Sequence, residues 1–336
     1  MTRAPTHRFA VIGAGSWGTA LALLLANNGH HVRLWGRERA HMQNLHAQRA
    51  NTRYLPGIAF PDNLHATLEL ADALRDIEGV LIAVPSEGFR ECLSQLRRHL
   101  DAATGVMWAT KGLEGGSRKL LHQMVQEELP SHAYAVISGP TFAKEVALRL
   151  PTAVTVASPQ SEFGAQVAQW LHNPTFRAYT SNDVAGVEVG GAVKNIMAIA
   201  AGIADGLGFG ANTRAALITR GLAEIQRLGV ALGGQPKTFM GLAGLGDLVL
   251  TCTDNQSRNR RLGLALAAGR PVDQAILDLG QVAEGYPTAR EVYALAQDVG
   301  IEMPIVEQVY QVLFHQRPPK EAVDTLLGRA ARAEHG

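Results

Sequence analysis

The sequence predicts an α/β chain: an N-terminal Rossmann-like, doubly wound, mostly parallel sheet over residues 1–185, and an all-α C-terminal domain over 186–336. Three observations point there. Continuous apolar runs alternate with helical stretches through the first half, the pattern of a parallel sheet covered on both faces. A glycine-rich turn joins the first run to the first helix. After about Asp183 strand-like runs stop and helical periodicity takes over.

The first unit is complete within 29 residues, 8–36. An apolar strand runs into Gly13-x-Gly15-x-x-Gly18, a helix follows from 19 to about 27, Gly29 ends it, and a second strand covers 31–35. In such a turn Gly13 bends the chain out of the strand. Gly15 removes a side chain where a pyrophosphate approaches, and Gly18 lets the helix pack on the sheet. The helix-start N–H groups then face phosphate. A tight turn without a ligand would use the same glycines, but the strand–helix–strand context favours a dinucleotide site.

Further strands are expected at 80–84, 105–110, 133–137, 153–157 and 175–180, with helices at 88–100, 118–129 and 161–172. Residues 184–207 read as a long helix, apolar nearly all round and therefore buried. Helices are also expected at 213–228, 258–268, 272–279, 288–299 and 305–314, and the charged tail beyond Lys320 is expected to fray at its end.

Composition narrows the function. A chain of 336 residues suits two domains, and 46% hydrophobic with 18% charged residues is globular. A net charge of +1 gives no nucleic-acid or membrane-surface footprint. Cys92 and Cys252 alone suggest neither a disulfide framework nor a metal centre. No apolar leader precedes the first strand, and the richest apolar run, 196–203, closes at Asp205, short of membrane-spanning length. The expectation is a soluble protein of the reducing cytoplasm.

The end of the second strand reads the cofactor. An acid there suits a ribose 2′-OH, an arginine a 2′-phosphate. Arg37 comes first and Arg39 flanks it, which favours NADP(H) over NAD(H); Glu38, one step later, keeps the 2′-OH reading open. At the rim, where strand ends line a ligand crevice, stand Pro85-Ser86, Lys111 and the Gly139-Pro140-Thr141 turn. Lys111 is either a ligand clamp or a rim charge.

Lys194 lies in a stretch with almost no other charge, Glu188 to Met197. A lysine there is costly unless paired, used, or snorkelling to water. Asp247, a lone acid in 241–252, either orients Lys194 or caps a helix. Ser257 reads as the N-cap of the next helix. With Arg258 and Asn259 in that first turn, where cations oppose the dipole, an anion is wanted nearby.

Taken together, Gly13-Ala-Gly-Ser-Trp-Gly-Thr19, Ala109-Thr-Lys-Gly112, Ser138-Gly-Pro-Thr-Phe-Ala143, Gly191-Ala-Val-Lys-Asn195, Gly241-Leu-Ala-Gly-Leu-Gly-Asp247 and Ser257-Arg-Asn259 closely resemble the bacterial NAD(P)-dependent glycerol-3-phosphate dehydrogenases. They span nearly the whole chain in the family's order. The resemblance implies reversible reduction of dihydroxyacetone phosphate to sn-glycerol 3-phosphate for glycerophospholipid synthesis, by a cytoplasmic homodimer without metal. It implies that Lys194 donates the proton, and that Lys111, Gly139, Thr141, Asp247, Ser257, Arg258 and Asn259 contact substrate. The cofactor contacts it implies, beside the glycine turn, are Ser16, Trp17, Arg37, Tyr54, Lys111, Ala143, Arg258, Val282 and Glu284. Two rivals are weaker. β-Hydroxyacid and 6-phosphogluconate dehydrogenases carry asparagine three residues after their lysine, whereas Asn195 follows Lys194 directly and position 197 is Met. A non-enzymatic NADP(H) sensor has no need of Lys194, Asp247 and an anion site together.

Overall fold

A computed structural model describes residues 6–329. The expected fraying of the chain's C-terminal end falls at 330–336, outside the described residues. Eight strands form one sheet: β1 (Arg8–Ile12), β2 (His31–Trp35), β3 (Leu64–Ala66), β4 (Gly79–Ile82), β5 (Gly105–Trp108), β6 (Tyr134–Ser138), β7 (Thr152–Ala157) and β8 (Phe176–Ser181). Their order is β3-β2-β1-β4-β5-β6-β7-β8. The first six reproduce the 3-2-1-4-5-6 dinucleotide-binding order. All pairs are parallel except β6 with β7. The strand order reverses between β1 and β4, so the crevice at the carboxyl ends of β1, β4 and β5 is where a ligand belongs.

The sheet is apolar on both faces because helices cover both. Phe9, Val11, Leu34, Leu81 and Met107 pack against the helix Ser16–Asn27 on one side. Ala10, Ile12, Val80, Ile82 and Trp108 meet the helices Phe89–Leu96 and Leu121–Glu128 on the other. At the first turn Gly13 has φ +115°, and a Cβ on Gly18 would stand 1.8 Å from the Gly13 carbonyl oxygen. Neither position tolerates a side chain. β3 and the helix Arg39–Gln48 are additions to the sequence-based expectation. Three residues are too few to show a strand's alternation, and the helix buries only His41, Met42 and Leu45.

Beyond Ser181 no strand occurs among the described residues. The helix Val184–Gly206 is the axis of this half, packed by Ala211–Ala231, Asp247–Thr253, Arg258–Ala267, Gly285–Asp298 and Pro304–Phe314. By length and mean hydropathy it is long enough to cross a membrane, but it carries Glu188, Lys194 and Asp205, so no uncharged run in it reaches spanning length, and its apolar stretch is wholly enclosed by protein. A Cβ on Gly190 would lie 2.5 Å from the Ala243 carbonyl oxygen, so the tight π-turn Leu242–Gly246 seats directly on this core helix. That seating delivers Asp247.

Candidate active site

The site forms where the core helix meets the carboxyl end of the sheet. Lys194 faces inward from the core helix and is 6% exposed. Its Nζ donates to Asp247 Oδ1 at 2.6 Å and to Thr251 Oγ1 at 2.8 Å. Lys111, three residues past β5, donates to the other carboxylate oxygen, Oδ2, at 2.6 Å. Thr110 Oγ1 donates to the Val84 carbonyl at 2.8 Å and so ties the exits of β5 and β4 together below Lys111. One buried carboxylate therefore holds two ammonium groups, one from each half of the chain.

The electrostatics follow from that count. Burial pushes Lys194 down, Asp247 pulls it up and Lys111 pushes it down again; the result is about 8 instead of 10.5. Burial alone would raise Asp247, but the two ammonium groups prevail and hold it below its usual range. An ammonium has three donors. Lys194 uses two inside the protein, and the third has no acceptor among the described residues.

That third donor opens on a cleft of about 390 Å³. Ser16, Trp17 and Tyr54 line its dinucleotide side together with Ala143; Lys111, Thr141 and Lys194 line its floor. Ser257, Arg258, Asn259 and Glu284 form the far wall. Ser257 is the N-cap expected from sequence, its Oγ accepting from Arg260 N at 3.2 Å. The cap orders a helix start whose first residues, Ser257, Arg258 and Asn259, line the cleft. Arg260, in contrast, turns inward to Asp205 of the core helix at 2.5 Å and fixes the helix in place. Replacing Ser257 with Ala should cost about 1 kcal/mol of stability through loss of the cap. Urea denaturation reads this, and an unchanged midpoint would contradict it.

Of the remaining sequence candidates, Asp247 lies behind the lysines, fully buried. Gly139 is buried against β7, Val282 is about half exposed, and neither lines the cleft. Arg37 stands exposed at the end of β2. A Cβ on Gly15 would meet nothing within 4 Å. The backbone there is open to the crevice, which fits the close approach of a pyrophosphate.

Two contributors escaped the sequence reading. Thr251 follows Asp247 by four residues on one helix face, a spacing that could have paired them. Asn195 joins the walls: its Oδ1 accepts from Asn259 Nδ2 at 3.0 Å and its Nδ2 donates to Glu284 at 3.4 Å. Asn259 Oδ1 in turn accepts from Gly285 N at 2.9 Å. No sequence spacing signals contacts across 64 or 89 positions.

Comparison with known proteins fits this geometry. The N-terminal model of the NAD-dependent glycerol-3-phosphate dehydrogenases matches residues 8–164, and the C-terminal model of the same family matches 183–324. A glycerol-3-phosphate dehydrogenase [NAD(P)+] of Nitrosococcus oceani is 56% identical over 329 residues, covering 98% of this chain and 96% of the relative. The chain belongs to that family. A second member, from Pseudoalteromonas translucida, is 54% identical over 98% of this chain and 99% of its own length. The crystal structure of the family's enzyme from Coxiella burnetii superposes with a TM-score of 0.94 at 50% identity, over 96% of this chain and 99% of that one. D-Mandelate dehydrogenase, 14% identical with a TM-score of 0.62, shares the fold alone.

Proposed function

We propose that this chain reduces dihydroxyacetone phosphate reversibly to sn-glycerol 3-phosphate, with Lys194 as proton donor and NADPH as the preferred cofactor. The observation that carries it is the Lys194 ammonium, held by Asp247 and Thr251 with one N–H directed into a cleft whose far wall is the Ser257 helix start. A bound nicotinamide supplies the hydride. The protein's task is then to hold the ketone and manage one proton.

The phosphate rests on the helix start with Arg258 and Asn259, which fixes the carbonyl near Lys194. Thr141 borders the same space, its Oγ1 donating to the Gly139 carbonyl at 3.2 Å. Negative charge growing on the ketone oxygen meets the lysine N–H, and the proton follows. In the reverse direction neutral Lys194 accepts it. Lys111, on the shared carboxylate, keeps Lys194 from being too basic to release a proton.

On the cofactor side, Ser16 and Trp17 open the helix after the glycine turn, while Tyr54, Ala143 and Glu284 border the cleft. Val282, beside Glu284, and Arg37 extend this contact surface. The residues fit a dinucleotide because Gly15 leaves its approach clear. The working unit we propose is a cytoplasmic homodimer supplying the backbone of glycerophospholipids.

Purified protein with NADPH and dihydroxyacetone phosphate should oxidise the nicotinamide, followed by absorbance. Folded protein without turnover would overturn the proposal. For cofactor choice, Arg37→Ala should raise the NADPH KM about tenfold, the weight of one charge-assisted hydrogen bond to a 2′-phosphate. The NADH KM should stay nearly unchanged. Equal rises would show that Arg37 does not read that phosphate.

A further inference from the structure

The three charges after β2 are not equivalent in the fold. Arg39 is tied to Glu69 at 2.6 Å. Glu38 is tied to Arg53, whose Nη1 donates to both carboxylate oxygens at 3.3 and 3.1 Å. Arg37 has no hydrogen-bond or ion-pair partner among the described residues.

Arg53 reaches Glu38 because its segment is moored to the glycine turn. Asn51 is fully buried, and its Nδ2 donates to the Ala14 carbonyl at 3.0 Å and to Thr19 Oγ1 at 2.8 Å. Its Oδ1 accepts from Tyr54 N at 3.2 Å, and buried Leu55 closes the turn through its N–H to the Asn51 carbonyl at 2.8 Å. The Arg53 guanidinium lies 5.0 Å from the centre of the Tyr54 ring, and Tyr54 lines the cleft. The same turn that approaches the pyrophosphate thus sets the position of Arg53.

We propose that Arg53 is a specificity-determining residue for the cofactor, acting by neutralising Glu38. The inference rests on the NADPH reading above. A free carboxylate at the end of β2 would accept a hydrogen bond from a ribose 2′-OH and repel a 2′-phosphate. Bound to Arg53 it does neither well, and Arg37 is left as the open cation. Both partners are more than half exposed, so as an ion pair the contact adds little to stability. Its effect is on the sign of the charge that a dinucleotide meets.

The test is a double-mutant cycle at low ionic strength: KM for NADPH and for NADH in the parent, Arg53→Ala, Glu38→Gln and the double variant. Arg53→Ala should raise the NADPH KM about fivefold, the effect of one unmasked, screened surface charge. It should leave the NADH KM unchanged or lower it. Adding Glu38→Gln should restore the NADPH KM, and 0.5 M salt should shrink the effect. If Arg53→Ala raises both KM values alike, or Glu38→Gln fails to rescue, Arg53 only braces its loop and the proposal falls. Arg37→Ala, measured in parallel, separates the two levels. A selective loss of NADPH there with no selective loss in Arg53→Ala rejects Arg53 alone. Equal losses there, in a parent that uses NADH better, reject the NADPH reading and Arg53 with it.

Discussion

Replacing Lys194 with Ala lowers turnover of dihydroxyacetone phosphate by about 10³-fold or more while leaving NADPH affinity close to that of the parent. General acid catalysis alone is worth about 10²–10⁴-fold, and the same ammonium also stabilises the charge growing on the ketone oxygen. The residue stands on the core helix and belongs neither to the glycine turn nor to the β2 end that carries Arg37. Cofactor binding, read by fluorescence titration, should therefore survive. Activity within tenfold of the parent would remove Lys194 from the chemistry. Lost NADPH binding would reassign it to the architecture of the cleft.

Asp247→Asn is the second large effect, and it moves two quantities. The carboxylate is the only anion hydrogen-bonded to either Lys194 or Lys111 among the described residues. Without it, burial and Lys111 still push Lys194 down and only the weaker pull of Glu284 opposes them, so Lys194 loses its proton at lower pH. Turnover at pH 7.5 should fall by about 10²-fold, with the pH dependence displaced toward acid. Removing one partner of a buried ionic cluster should also cost about 3–5 kcal/mol of stability, read by chemical denaturation. An unchanged pH profile with full stability would contradict the shared-carboxylate account.

The stability of the parent carries the same signature. Lys194 has a lower pKa folded than its usual 10.5, so between about 8 and 10.5 the unfolded chain binds more protons. This group therefore weakens the fold fully below pH 8, and its cost fades as the pH rises through that window. Asp247 has the opposite balance: the stability it contributes is present above its usual 3.8 and is lost as the pH falls through its still lower folded value.

Much of the site was legible because its parts carry local signals. The glycines announce a turn, Ser257 announces a cap, and a lone lysine or acid in apolar sequence announces an internal use. What the sequence could not supply was distance. Asp247 reads equally as a helix start or a counter-ion. Its place under both lysines depends on the Leu242–Gly246 turn seating against Gly190, a contact between remote segments. Glu38 reads as an available acid until Arg53 is seen on it. Asn195 is unremarkable until Asn259 and Glu284 converge on it. In the fold, β3 was hidden by its brevity. The antiparallel insertion of β7 leaves no trace in the apolar pattern, because a strand buried on both faces reads alike in either direction.

The most direct measurement of the central claim is the pH dependence of kcat in both directions on the same preparation. If Lys194 gives and takes the proton, ketone reduction falls as the pH rises through about 8, and alcohol oxidation rises through the same pH. Profiles that are flat from pH 7 to 10 in both directions, or that move in the same sense, would contradict it.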